Sequence, residues 1–175
     1  DNPSVGTDAD GRIAFDLTQR ATAIIKGQSA TQFSISYYKD AGFTQPIATP
    51  TTYQNTTATE TIFVKVANKD NLACVATTSF KIVVLALPVI TAVVDLKQCD
   101  DDIDGFSVFN LEEAIAKMTV NASNETIAFF KTIVDAQNNT NPILSPTTYT
   151  NAVVSNDVVY VRVTNANACF RIAKL

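Results

Sequence analysis

Polar and apolar residues alternate in short runs along most of the chain, which is the pattern of strands with one face on a core and the other in water. Arg12-Ile13-Ala14-Phe15 predicts a short strand. Phe33-Ser34-Ile35-Ser36-Tyr37 and Ile127-Ala128-Phe129 place their apolar residues on one side, as a half-solvated antiparallel sheet requires. Ile62 to Val66 and Val158 to Val163 are the clearest strands. Each leads through Asn-containing turns (Asn68-Lys69-Asp70-Asn71; Asn165-Ala166-Asn167) into a cysteine-bearing final strand, a hairpin signature. Pro46-Ile47 and Pro142-Ile143 each precede Pro-Thr-Thr-Tyr, where proline confines the segment to an edge or a turn. The segment Thr132 to Asn141 reads as a loop.

At two places the period lengthens. Asp16-Leu17-Thr18-Gln19 predicts a helix N-cap, with Ala21, Ile24 and Ile25 on one face and Gly27 as the stop. Asn110-Leu111-Glu112-Glu113 is a capping box followed by Ala114, Ile115 and Met118. Helices of two turns cannot stand alone, so each is expected to pack across the end of a sheet.

These elements occur twice. Asp104-Gly105-Phe106-Ser107-Val108-Phe109-Asn110-Leu111 restates Asp10-Gly11-Arg12-Ile13-Ala14-Phe15-Asp16-Leu17, 94 positions earlier. Pro146-Thr147-Thr148-Tyr149 repeats Pro50-Thr51-Thr52-Tyr53 at 96. Val159 to Val163 echoes Ile62 to Val66 at 97, and Ala168-Cys169 echoes Ala73-Cys74 at 95. Landmarks in one order at nearly one offset mark a tandem repeat. We therefore expect an all-β chain of two immunoglobulin-like β-sandwich repeats, each with one short helix. Repeat 1 covers residues 1–87 and lacks its first strand; repeat 2 covers 88–175 and is cut short in its last. Ile90 to Leu96 opens repeat 2, and Phe80 to Ala86 completes repeat 1. This phase suggests a longer array, with Leu87-Pro88 as a stiff junction.

Composition narrows the function. Of 175 residues, 46% are hydrophobic and 17% charged, a globular balance. The net charge of −4 argues against a nucleic-acid partner, and no apolar run reaches the roughly 18 residues of a membrane span. The chain contains no histidine, which removes His-based acid–base chemistry, Ser-His and Cys-His nucleophile pairs and the usual zinc sites. An enzyme would be left with carboxylates, and these do not face each other across a cleft as a glycosidase requires. We expect no enzyme.

Two features remain as candidate sites. Cys99 precedes the first repeated strand and Cys169 begins the last; in a sandwich they could meet as a disulfide closing a loop of about 70 residues, worth roughly 4 kcal/mol. Cys74 matches Cys169, so its partner is expected upstream of Asp1. The opposing reading is three reduced, buried thiols in a cytosolic protein. Asp100, Asp102 and Asp104 before Gly105 match the opening of a calcium loop, and Asp8 and Asp10 are a weaker counterpart in repeat 1. The match fails at its twelfth position, Leu111, where the pattern needs a bidentate Glu. The alternative is a solvated turn whose carboxylates bond nearby amides. The aromatics Tyr37, Tyr38, Tyr53, Phe129, Phe130 and Tyr149 could form a sugar platform but fit packing better. Four sequons, Asn55-Thr56-Thr57 among them, come cheaply in an Asn- and Thr-rich chain.

The pattern Cys-Asp-x-x-x-Asp-Gly-Phe…Phe-Asn-Leu, then Ile-x-Phe-Phe-Lys…Asn-Pro-Ile…Pro-Thr-Thr-Tyr-Thr-Asn…Val-Tyr-Val-Arg-Val-x-Asn…Cys-Phe, resembles the repeats of giant cell-surface adhesins exported by the type IX secretion system in gliding Bacteroidetes. The likeness is close in repeat 2 and looser in repeat 1. It implies an extracellular, cell-surface location and a non-enzymatic stalk acting in adhesion or gliding. Its partners would be neighbouring repeats of the same chain, with weak multivalent contact to surface polysaccharide or another extracellular ligand. The rival reading is a pair of carbohydrate-binding modules attached to a secreted hydrolase, which requires an exposed aromatic row.

Overall fold

The computed structural model describes residues 10–175. The chain separates into two compact units, Asp1–Ala86 (unit 1) and Leu87–Leu175 (unit 2). Each is an all-β, sandwich-like domain.

In unit 1 a three-stranded antiparallel sheet runs in the order β2 (Phe33–Tyr38), β4 (Thr59–Asn68), β5 (Val75–Val83). Register runs from Phe33↔Asn68 to Tyr38↔Phe63 on one side of β4, and from Thr59↔Val83 to Ala67↔Val75 on the other. A second, two-stranded ladder pairs β1 (Ala14–Phe15) with β3 (Tyr53–Gln54). The alternation along β4 sends Ile62 and Val64 inward, both at 0% exposure. Burial of each such side chain is worth about 1.5–3 kcal/mol. Leu17, Tyr37, Ile47, Tyr53 and Ile82 complete that core.

Unit 2 repeats the plan. Its main sheet has the order β10 (Phe170–Lys174), β9 (Tyr160–Asn165), β7 (Glu125–Phe130), and its small ladder pairs β6 (Val108–Phe109) with β8 (Tyr149–Thr150). Val161 and Val163 take the places of Val64 and Val66. They are joined in the core by Leu111, Ala114, Met118, Phe129 and Tyr149. The aromatics expected to pack do so: Tyr37, Tyr53, Phe129, Phe130 and Tyr149 are buried, and Tyr38 is half-buried with its ring edge-on to Phe43.

Both predicted helices form, each as a 3-10 turn leading into one α turn: Leu17–Arg20 into α1 (Ala21–Ile24), and Leu111–Ala114 into α2 (Ile115–Met118). The N-cap residues are those read from the sequence, though each accepts from the second helical amide and not from the third as a capping box would. Asp16 accepts from the Thr18 N–H and Asn110 from the Glu112 N–H, and Gly27 supplies a left-handed φ of 77° after the first helix.

Three local expectations differ from the fold. The segment read as a loop between Thr132 and Asn141 contains a helix, α3 (Ile133–Asn138). Thr132 caps its start by accepting from the Asp135 N–H, and Asn139 ends it in the left-handed region at φ 55°. The cysteines sit in the hairpin turns and not in the final strands, because Cys74 and Cys169 precede the first paired residues, Val75 and Phe170. The segment 90–96 is not a long strand. Its Thr91 N–H bonds the Met118 carbonyl at the end of α2, and the chain then crosses to β10 for one parallel bridge, Val93↔Lys174. A segment shared between two partners has no room for a full ladder.

Candidate functional site

Each unit gathers its polar side chains at one end, where a Gly turn meets the loop after the small ladder. A buried asparagine holds the two together. In unit 2, Asn151 accepts from the Ser107 N–H at 2.7 Å and donates to the carbonyls of Gly105 and Val153 at 2.8 and 2.7 Å. In unit 1, Asn55 accepts from the Ile13 N–H at 2.7 Å and donates to Gly11 and Thr57 at 2.7 and 2.8 Å. Both are buried, at 7% and 2% exposure. Asn55 therefore serves as a clamp, and its sequon is closed to a glycan.

A tyrosine–carboxylate pair stands beside each clamp. The Tyr53 hydroxyl donates to Glu60 at 2.7 Å and the Tyr149 hydroxyl to Asp157 at 2.6 Å. Glu60 also accepts from the amides of Thr56 and Thr57, and Asp157 from those of Ala152 and Val158. Burial, which alone would raise their pKa, is outweighed by these bonds, so both carboxyls titrate below their ordinary values. Burial and then the carboxylate partner push both phenols well above the usual tyrosine range. In unit 2, Tyr149, Asn151 and Asp157 line a recess of about 270 Å³ together with Leu96, Asp100 and Ser107.

The Asp turn lies on the rim of that recess. Gly105 adopts φ +81°, and a Cβ there would come within 2.5 Å of Val154 Cγ1. The turn brings the expected carboxylates together: Asp100, Asp102 and Asp104 present oxygens within 4.8 Å of one another, all exposed. Their oxygens are engaged with the backbone, Asp100 with the amides of Ile103 and Gly105, Asp102 with that of Asp104, and Asp104 with that of Phe106. The Gly105 amide holds Asp100 below its ordinary pKa. Asp102 moves the other way: the Asp104 amide pulls it down, but the neighbouring charge of Asp104 and the hydrogen bonds with Asp100 and Asp104 leave it above the ordinary value. Leu111, at the position where a calcium loop has its Glu, is a core residue at 3% exposure. The cluster therefore combines three exposed carboxylates, each already accepting from a backbone amide, with no Glu at the twelfth position of the calcium-loop pattern. In unit 1, Asp10 accepts from the Arg12 amide at 3.0 Å; Asp8 lies outside the described residues.

The cysteines are three free thiols, Cys74 and Cys99 exposed and Cys169 half-buried. The expected Cys99–Cys169 pair is not made, and the topology explains why. Cys169 sits in the turn that starts β10, while Val93 runs parallel to the far end of that strand, at Lys174. Cys99 lies beyond Val93 in the same direction, with its carbonyl near Ser107 at 3.4 Å on the Asp turn. Five residues of strand alone, at about 3.3 Å each, separate the two by roughly 16 Å, whereas a disulfide needs Cα atoms within about 7 Å. Each sulfur is at an opposite end of its unit.

A family described as the Flavobacterium inter-domain disulphide bond domain matches the chain twice, over residues 1–88 and 95–175. No curated protein matches it.

Proposed function

We propose, on the premise that this chain belongs to the Flavobacterium inter-domain disulphide bond family, that it is a segment of an exported string of like domains joined by disulfides from one domain to another. The string serves as a stiff extracellular stalk at the cell surface, in adhesion or gliding, and no catalytic group is needed for that work. Repetition would let weak contacts to polysaccharide or another extracellular ligand add up without a strong single site. The observation that carries the reading is the placement of the thiols. Cys99 and Cys169 lie at opposite ends of unit 2, so a sulfur at either end reaches a partner only on another domain. Cross-links between successive domains restrict hinging at the junctions, which is what a projecting stalk requires. The aromatic row demanded by a carbohydrate module finds no support in the six aromatics weighed for it, which are buried or half-buried.

The reading is tested by extension under load. A multi-repeat stretch of the parent protein, pulled singly, is expected to show shorter releases per domain when oxidised than after reduction. Identical traces in both states would contradict it.

A further inference from the structure

A chain that passes from one domain to the next leaves by one end and enters by the other, and the units show which end is which. In unit 1 the chain leaves past β5, where the Val84 N–H donates to the Ala58 carbonyl at 2.7 Å. Ala58 lies against the Gly turn, so near that a Cβ on Gly11 would stand 3.5 Å from the Ala58 Cβ. The departing end is therefore the end of the Gly turn. In unit 2 the matching turn at Gly105 is the one beside Cys99, whose carbonyl lies 3.4 Å from the Ser107 hydroxyl.

The entering end is the opposite one. The Thr91 N–H is fixed to the Met118 carbonyl at 2.8 Å, and the segment then runs parallel to β10 through Val93↔Lys174. Traced backwards, it approaches the start of β10, where Cys169 sits in the hairpin turn. Cys74 holds the same place in unit 1, its N–H on the Asn71 carbonyl in the turn before β5. Cys99 thus stands where the chain goes out of its domain, and the hairpin cysteines stand where it comes in.

Continuity of the chain then selects the neighbour. Val84 and Thr91, the last bonded residue before the junction and the first after it, are seven positions apart, a reach of at most about 25 Å. The nine residues of β5 that separate a hairpin cysteine from the departing end of its own domain span about 30 Å. A departing end therefore meets the entering end of the next domain before it meets any other cysteine.

We propose that the bonds between domains have a direction: Cys99 pairs with the hairpin-turn cysteine of the domain that follows, and Cys74 and Cys169 each pair with the Asp-turn cysteine of the domain that precedes theirs. This rests on the reading of the chain as domains joined by disulfides, and adds the partner of each sulfur. No two of the three cysteines here are then partners of each other. Apolar side chains left open at the same two ends agree with it. Ile103, Val153 and Val154 are exposed around the Asp turn, and Leu72 and Val120 at the hairpin end, where an adjoining domain would cover them. Each bond forms by two exchanges with an oxidised dithiol. One thiolate opens the donor's disulfide to a mixed disulfide, the second displaces the donor, and the donor leaves as a dithiol with the two electrons and two protons.

The test sequences the linked peptides of the unreduced parent protein, with alkylation of variants to find the thiol each one frees. Cys99→Ser should free one thiol, on the following domain, and Cys169→Ser one thiol, on the preceding domain. The 175-residue chain alone, kept dilute with oxidised glutathione, should form no bond among its own cysteines. A Cys74–Cys99 bond, which needs successive domains folded back side by side, would overturn the direction and leave the inter-domain reading standing. A Cys99–Cys169 bond, or three unlinked thiols in the parent protein, would overturn both.

Discussion

At the scale of single residues, the groups that matter most are the ones with no freedom left. Asn151, itself buried, satisfies one amide and two carbonyls at partly buried positions. Asn151→Ala orphans all three, and chemical denaturation of unit 2 should lose about 2–4 kcal/mol. Asp102→Asn, on an exposed turn, should stay within about 0.5 kcal/mol of the parent. A reversal of that order would remove the clamp from its role. Tyr37 is the opposite case: its hydroxyl is buried without a partner among the described residues, so Tyr37→Phe should leave stability unchanged or raise it by about 1 kcal/mol. A clear loss on thermal melting would show that the hydroxyl has a partner in solution. The carboxylates set the pH response. Glu60 and Asp157 have folded pKa values below those of the unfolded chain, so their contribution is full above about pH 4.3 and is lost as pH falls through the folded values. Glu60→Gln and Asp157→Asn together should flatten the acid limb of a stability–pH profile; an unchanged limb would place the acid sensitivity elsewhere.

At the scale of elements, alternation and capping go far. The strands β2, β4, β7 and β9 and both predicted helix starts were legible because period and cap residues agree there. What stayed hidden was whatever depends on a partner distant in sequence. The helix α3 carries an Asp and Thr cap signal too short to stand out, and Arg162 reinforces it from β9 by donating to the carbonyls of Ala136 and Gln137 at 2.8 Å. Thr132→Ala should cost about 1 kcal/mol and speed amide exchange across Ile133–Asn138; unaltered exchange would mean that Arg162 holds the helix without its cap. The asparagine clamp could have been found, since Asn55 and Asn151 each end the repeated run Pro-Thr-Thr-Tyr-x-Asn. An Asp turn bonding its own amides was one of the two readings open from the residues; which carboxylate takes which amide depends on the left-handed backbone at Ile103 and Gly105.

At the scale of the whole molecule, the account turns on where the sulfurs go. Spacing along the chain made Cys99 and Cys169 look like the two ends of one loop. The parallel course of Val93 against β10 puts them at opposite ends of the unit instead, and three exposed or half-buried thiols are left to look outward. A domain of this size, with a core of two thin layers, gains from being tied to its neighbours more than from a staple it cannot reach. The most direct measurement is peptide mapping of the native, unreduced parent protein by mass spectrometry. Peptides carrying Cys99 and Cys169 should each be recovered joined to a cysteine of another unit; a peptide in which Cys99 is bonded to Cys169 would contradict the account.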